Sequence, residues 1–491
     1  MYRHNQKQLE FENFGLPFGG KLRSDNRWVR LAKLIPWDEF ETDYCKTLSD
    51  SEFGPPAKSV RVALGALIIK ERLGTSDRET VEQIRENPYL QYFLGYKQYE
   101  YCEPFEPSMF VYFRKRLNKS TLTKINEVIA GRMLEDKTGP CEEKSSSDDG
   151  DDNPGNSSVA NKGKLLVDAT CTPADITFPT DLKLVNTARE KSEEIIDILH
   201  RPLRGQQKKP RTYRKRARRE FLLAAKSKTL SKSKRRKVMR KQLGYLKRNL
   251  RSIDRLSKQT SLINLTRRQY KNLLVCHEIH RQQQWMYEQR VNRIDDRIVS
   301  LSQPHVRPIK RGKAGAATEF GAKVSASLID GIVFVDRISW DAYNESGDLI
   351  GQIESYRKRF GHYPESVHAD KIYRNRANRK YCKEHGIRLS GPALGRPPAQ
   401  PEKRREIRKQ AYQDEVDRIP IEGKFGQGKR RFSLSRVMCK LAPTSEAAIM
   451  VAFLVMNLEK WLKATILCLL SILQTCISSM ASISEPLERR I

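Results

Sequence analysis

Residues 164–172 read KLLVDATCT and residues 366–373 read SVHADKIY. Each holds a short apolar run that closes on an aspartate, Asp168 in the first and Asp370 in the second. Short apolar runs with β-branched residues predict strands. Two strand-end aspartates lie side by side only where their strands are neighbours in one sheet. The segments between and after them alternate. TEFGAKVSASLID and IVFVDRISWDAY, meeting at Gly331, predict a hairpin, and Ser346 to Phe360 a helix. YRNRANRKYCKEHG predicts a helix closing on Gly386, and IRLSG a further strand. That alternation predicts an α/β domain, a mixed sheet with flanking helices.

Downstream, DRIPIEGKFGQGKRRF (417–432) carries Arg418, Glu422 and Lys429 as R-x3-E-x6-K. On a helix these positions share one face. Pro420 is expected in the first turn of that helix, where a missing N–H is tolerated, with 395–412 a loop leading into it. A carboxylate flanked by two cations can hold a divalent metal while the cations grip phosphate. Two strand-end aspartates and a helix glutamate are what two-metal phosphoryl transfer needs. Carboxylates without His or Cys suit two Mg2+ ions, with Mn2+ as a substitute.

Each acid also has a plainer reading. Asp168 alone reads as a strand-end turn residue, Asp370 as a helix N-cap, and Glu422 as an exposed ion pair with Arg418. Glu415, Asp175 and Asp181 compete. Asp330, Asp336, Asp341 and Asp348 read as hairpin and loop residues. His305, His362, His368 and His385 are too widely spread for a ligand set.

The chain has 491 residues and a net charge of +33. Such an excess repels itself unless a polyanion neutralises it, which points to nucleic acid ahead of an anionic membrane. The nine cysteines are scattered without a C-x2-C pair, which argues against zinc and against a disulfide framework, and suits a reducing cytoplasm. Residues 464–483 carry no charge, but their serines, threonines and Gln474 favour a helix packed on a core over a membrane span.

Residues 1–55 form a lead-in containing Trp28 and Trp37, and 56–135 a helical unit. In that unit Gly74 stops one helix, Ser76 to Glu79 open the next, and Ser120 caps a third. Its short helices with basic faces suit either a helix-turn-helix-like DNA-binding module or an ordinary bundle. Residues 1–140 are therefore taken as a helical N-terminal DNA-binding domain and 141–163 as a polar linker. Residues 164–463 are the α/β domain, interrupted by a helical insertion at 183–303, and 464–491 a helical tail. Within the insertion, 204–251 is dense in Lys and Arg with Glu220 its only acid, followed by one long amphipathic helix over 262–301. A run of one sign this long favours phosphate contact, with Arg214, Arg216, Arg235 and Arg236 as candidates beside Lys429 and Arg430.

In combination, these motifs resemble the DDE transposases of bacterial insertion sequences, of the branch with a Y-x2-R-x3-E-x6-K signature. SVRVALGALIIKERLGTSDRETVEQIRENPYLQYFLGY and FEPSMFVYFRKRL resemble that family's N-terminal domain. KLLVDATCTPADITFPTDLKLVN, EFGAK, SWDAYNES and HADKIYRNRANRKYC resemble its catalytic domain. The resemblance implies an RNase H-like fold and a metal-binding triad of Asp168, Asp370 and Glu422. It further implies Arg418 and Lys429 at the basic positions, double-stranded DNA as partner, a homodimer on that DNA, and a cytoplasmic, nucleoid-associated protein. Glu415 stands where the signature has tyrosine, and the insertion follows the first strand, where many relatives insert after the fifth.

Overall fold

The computed structural model describes residues 11–16, 19–48, 56–136, 160–227, 229–313, 316–391, 398 and 400–483. Most of the 141–163 linker and the end of the 464–491 tail lie outside them.

The first helices are α1 (Arg27–Leu34), α2 (Glu41–Cys45), α3 (Val60–Leu73), α4 (Asp77–Glu86), α5 (Pro88–Phe93), α6 (Met109–Arg116) and α7 (Lys119–Glu135). Their ends follow local chemistry. The Ser59 side chain accepts from the Val62 amide to open α3, and Gly74, at φ 69°, closes it. Ser76 accepts from the Glu79 amide to open α4. The cap of α7 is Asn118, not Ser120: its side chain accepts from the Thr121 amide, and Ser120 falls inside the first turn. The lead-in is no appendage, since Trp28 and Trp37 are buried against Phe93.

The strands are β1 (Lys164–Pro173), β2 (Arg307–Lys313), β3 (Ala316–Ile329), β4 (Ile332–Ser339), β5 (Ser366–His368) and β6 (Arg388–Leu389). They form one mixed sheet in the order β2, β3, β1, β5, β6, with β4 also on β3. β1 runs antiparallel to β3 and parallel to β5, which is parallel to β6. β3 is long enough to carry β2 and β4 end to end along its outer edge. Asp330 and Gly331 both have positive φ, the two-residue turn that suits the twist of the β3–β4 hairpin. β1 and β3 cross closely at Gly321, where a Cβ would sit 2.1 Å from the Thr172 carbonyl oxygen. With its helices this sheet is the RNase H-like arrangement. β2, in a basic stretch without an apolar run, has no signal in the sequence.

The later helices are α8 (Asp181–His200), α9 (Arg214–Lys226), α10 (Lys232–Ser257), α11 (Arg267–Gln289), α12 (Leu349–Phe360), α13 (Arg376–Glu384), α14 (Pro401–Arg431) and α15 (Ala442–Ile483). The long helix expected over 262–301 is shorter, and residues 345–348 form a separate turn ahead of α12. α14 overturns two expectations. Residues 401–412 are helix, not loop, and Pro420 lies deep inside. Strong helix formers from Glu402 onward carry the helix through it. Pro420 is exposed, so the carbonyl one turn back can take water.

α15 packs on α3, α6, α7 and β4, so one apolar core joins the N-terminal helices, α15 and the sheet. α8, α10 and α11 close a second core of their own around Leu246, Cys276 and Ile279. No helix among the described residues is long and apolar enough to cross a membrane.

Candidate active site

The pairing of β1 with β5 runs Lys164 with Ser366 to Leu166 with His368. Asp168 stands two residues further on, in the middle of β1 and not at its end as the sequence suggested, and Asp370 stands two residues past the end of β5, as the cap of the turn that follows. The two aspartates therefore follow the paired stretch of neighbouring parallel strands.

α14 packs on β1 and β5. Its seat is polar. His368, fully buried, lies 3.8 Å from the Asp414 carboxylate and 3.9 Å from that of Asp417, and its Nε2 is 3.0 Å from the Ser366 hydroxyl. Arg388 donates to Asp414 (2.8 Å) and Lys164 to Asp417 (2.6 Å). Burial is the main cause holding His368 below its ordinary pKa. One turn further along α14 come Arg418 and Glu422.

Asp168 accepts from the Ala169 amide (2.8 Å). Burial lifts its carboxyl to about 6; the amide and Arg418 oppose the rise, and Glu345 and Glu422 add to it. Asp370 is exposed and accepts from the Lys371 amide (2.6 Å), capping the turn Lys371–Tyr373. Glu422 is half exposed and accepts from Arg418 at 2.9 Å. Thus the charges of Arg418 and Glu422 reach Asp168, while Asp370 follows the strand next to it. Both Asp370 and Glu422 also make the local contacts that their plainer readings describe. Among the described residues no three acids or other ligating side chains form a ready cation cage. The donor chemistry nonetheless fits a hard divalent cation: carboxylates only, with Asp168 largely buried and the charges of Glu345 and Glu422 reaching it, and a buried Tyr373 hydroxyl without a hydrogen-bond partner among the described residues.

Lys429 belongs elsewhere. Seven residues beyond Glu422, or about 10 Å along a helix, it lines a cleft of about 940 Å³ between the α3–α4 turn and the end of α14. Arg78, Arg430, Arg431 and Lys440 also line it, all exposed.

The basic candidates of the insertion divide. Arg235 is exposed. Arg214 is engaged by Asp197 (2.6 Å) and the Glu193 carbonyl (3.1 Å), and Arg216 lies 3.5 Å from Glu220. Arg236 donates to the Tyr287 carbonyl (2.8 Å) and stacks on its ring at 3.9 Å. Arg214 and Arg236 therefore hold the insertion together, whereas Arg216 is exposed and pairs only within its own helix. The sequence reading missed Glu345, which sits near Asp168 through the pairing of distant strands, and Tyr373. It left His368 as a default histidine, although a histidine two residues before a strand-end aspartate was the available signal.

The family model described as "Transposase DDE domain" matches residues 367–459, and that described as "Transposase domain (DUF772)" matches residues 17–116. A curated relative, "Uncharacterized protein ORF8 in nfe locus" of Rhizobium meliloti, is 29% identical over 156 residues. That stretch is 32% of this chain and 66% of the relative, so the chain spans just under two thirds of its length. No solved structure matches. The first match begins inside β5 and takes in Asp370, Glu422 and the buried part of α15, and the second covers the N-terminal helices up to α6. Together these two matches indicate an insertion-sequence DDE transposase.

Proposed function

We propose that this protein binds the terminal inverted repeats of its element as a homodimer on double-stranded DNA, cleaves strands there, and joins the freed 3′ ends to target DNA. The observation that supports the reading is the parallel pairing of β1, which bears Asp168, with β5, which Asp370 follows, and the packing of α14 on both strands. Asp168, Asp370 and Glu422 would hold two Mg2+ ions, or Mn2+ in their place. Bound there, such ions supply activation of the attacking oxygen and relief of charge on the leaving one. Arg418 would orient the scissile phosphate. Water attack breaks the bond from phosphorus to the 3′ oxygen, and the freed 3′ hydroxyl then displaces a 3′ oxygen in the target. Lys429 and Arg430, with the exposed cations of their cleft, would grip the strand leaving the site, and Arg235 would add phosphate contact from the insertion. The protein would then reside in the cytoplasm on the nucleoid.

The test is a cleavage and joining assay on linear DNA carrying the element's own ends. With Mg2+ or Mn2+ the wild type should cut and join, while Asp370→Asn should bind the ends yet cut nothing. A second reading, a DNA-binding relative without catalysis, draws on the ion pair of Glu422 with Arg418. Tight end binding by the wild type without any cutting or joining would select it.

A further inference from the structure

The acid that the triad does not use is Glu345. It opens the turn Glu345–Asp348 that follows β4, and this turn packs against the turn Lys371–Tyr373 that Asp370 caps. One buried side chain ties the two turns together: the Asn378 amide donates to the Ser346 carbonyl (2.8 Å) and to the Tyr373 carbonyl (2.8 Å). Glu345 is thus held in fixed relation to Asp370 through backbone, not through a mobile chain. Its carboxylate is largely shielded and ion-paired with Lys323 of β3, whose ammonium also donates to the Tyr343 carbonyl (2.9 Å). Tyr373 has no exposed surface, and its hydroxyl has no hydrogen-bond partner among the described residues. The acids whose charge reaches that hydroxyl most strongly are Glu345 and Asp168. An unsatisfied buried hydroxyl is costly unless a further group completes its surroundings.

We propose that Glu345 is a fourth carboxylate of the site, held in reserve by Lys323 and positioned by Asn378, and that it takes a share of a divalent cation beside Asp168. This rests on the reading that Asp168 and its companions bind cations. Lys323 then acts as a stand-in charge. It neutralises Glu345 while the site lacks a cation and competes with the cation for it.

The experiment is Mn2+ binding to the full chain without DNA, followed by calorimetry and electron paramagnetic resonance, for the wild type and three variants. Glu345→Gln keeps the shape and removes the charge; it should weaken Mn2+ binding roughly tenfold or more. Lys323→Gln should do the opposite and tighten it, because the competing ammonium is gone. A strut role for the pair predicts that both variants weaken binding equally, and that result would overturn the proposal, as would wild-type affinity in Glu345→Gln. Asp168→Asn separates this idea from the one beneath it. If Asp168→Asn loses Mn2+ while Glu345→Gln does not, only the fourth carboxylate fails. If the wild type binds no Mn2+, or Asp168→Asn binds it unchanged, the cation site itself fails. Thermal melts report folding, and should Glu345→Gln not fold, the sign of the Lys323→Gln change decides.

Discussion

The N-terminal helices and the insertion are both built of helices alone, yet they are joined to the sheet in opposite ways. The N-terminal helices share the sheet's apolar core and meet it through buried polar contacts. Arg72 pairs with Glu459 of α15 at 2.6 Å and lies over the Trp28 ring; Glu71 accepts from the Ser433 amide and hydroxyl just past α14. The insertion closes its own core and spends two of its candidate arginines, Arg214 and Arg236, on itself. The first arrangement couples the N-terminal helices mechanically to the helix bearing Glu422. The second makes a module that can vary without disturbing the sheet.

The largest expected effect tests the shared core. Glu459→Ala strands a buried guanidinium, and should destabilise the protein by about 3–5 kcal/mol in urea unfolding. The fluorescence of Trp28 and the far-ultraviolet signal of the sheet should be lost in one transition. Two separated transitions would break the comparison. Next, Leu246→Ala removes a fully buried side chain from the insertion's core, at about 2–5 kcal/mol. Hydrogen exchange should accelerate in α8, α10 and α11 while β1 and β3 stay protected; faster exchange in the sheet would show that the insertion is no separate module.

A third effect belongs to the sheet itself. Asp336 on β4 accepts from Ser327 (2.6 Å) and Gln352 (2.8 Å), and burial lifts its carboxyl to about 6 from an ordinary 3.8. Between about pH 4 and pH 6 the folded protein keeps a proton that the unfolded chain has released. Stability should therefore fall as pH rises through that window, by up to about 3 kcal/mol, and level off above it. Asp336→Asn should flatten the profile, and the same slope in wild type and variant would assign it to other groups. The smallest effect sharpens the account of the insertion. Arg235→Ser should lower the slope of log affinity for DNA against log salt by about 0.9, whereas Arg236→Ser should lower the melting temperature and leave that slope alone. Equal slopes for Arg235→Ser and the wild type would make Arg235 a solvated charge.

What the sequence disclosed follows from which interactions are local. The strands that carry or precede Asp168 and Asp370 were legible because each is a local apolar run, and the hairpin at Gly331 because its turn chemistry is local. Pro420 misled because one residue's preference was weighed against a helix whose other members all favour continuation. β2 stayed hidden because its pairing comes from β3 and not from its own pattern. Glu345 stayed hidden for a related reason: its neighbours Lys323 and Tyr373 arrive through strand pairing and through Asn378, and nothing near residue 345 marks it.

The outer edge of β4 has a further consequence. Asn457 of α15 accepts from the Val333 amide (2.9 Å) and donates to its carbonyl (2.8 Å), and Asn126 of α7 donates to the same carbonyl (3.1 Å). An open strand edge is a template for pairing with other chains. Asn457 is made 124 residues after Val333, so at about 5–20 residues per second the edge waits roughly 6–25 s on the ribosome for its seal. A reading frame cut short by a stop codon anywhere in that interval releases a sheet with its edge bare, prone to join its neighbours on the polysome. The late asparagine thus ties closure of the β4 edge to the arrival of α15, and a chain that ends before residue 457 keeps that edge open.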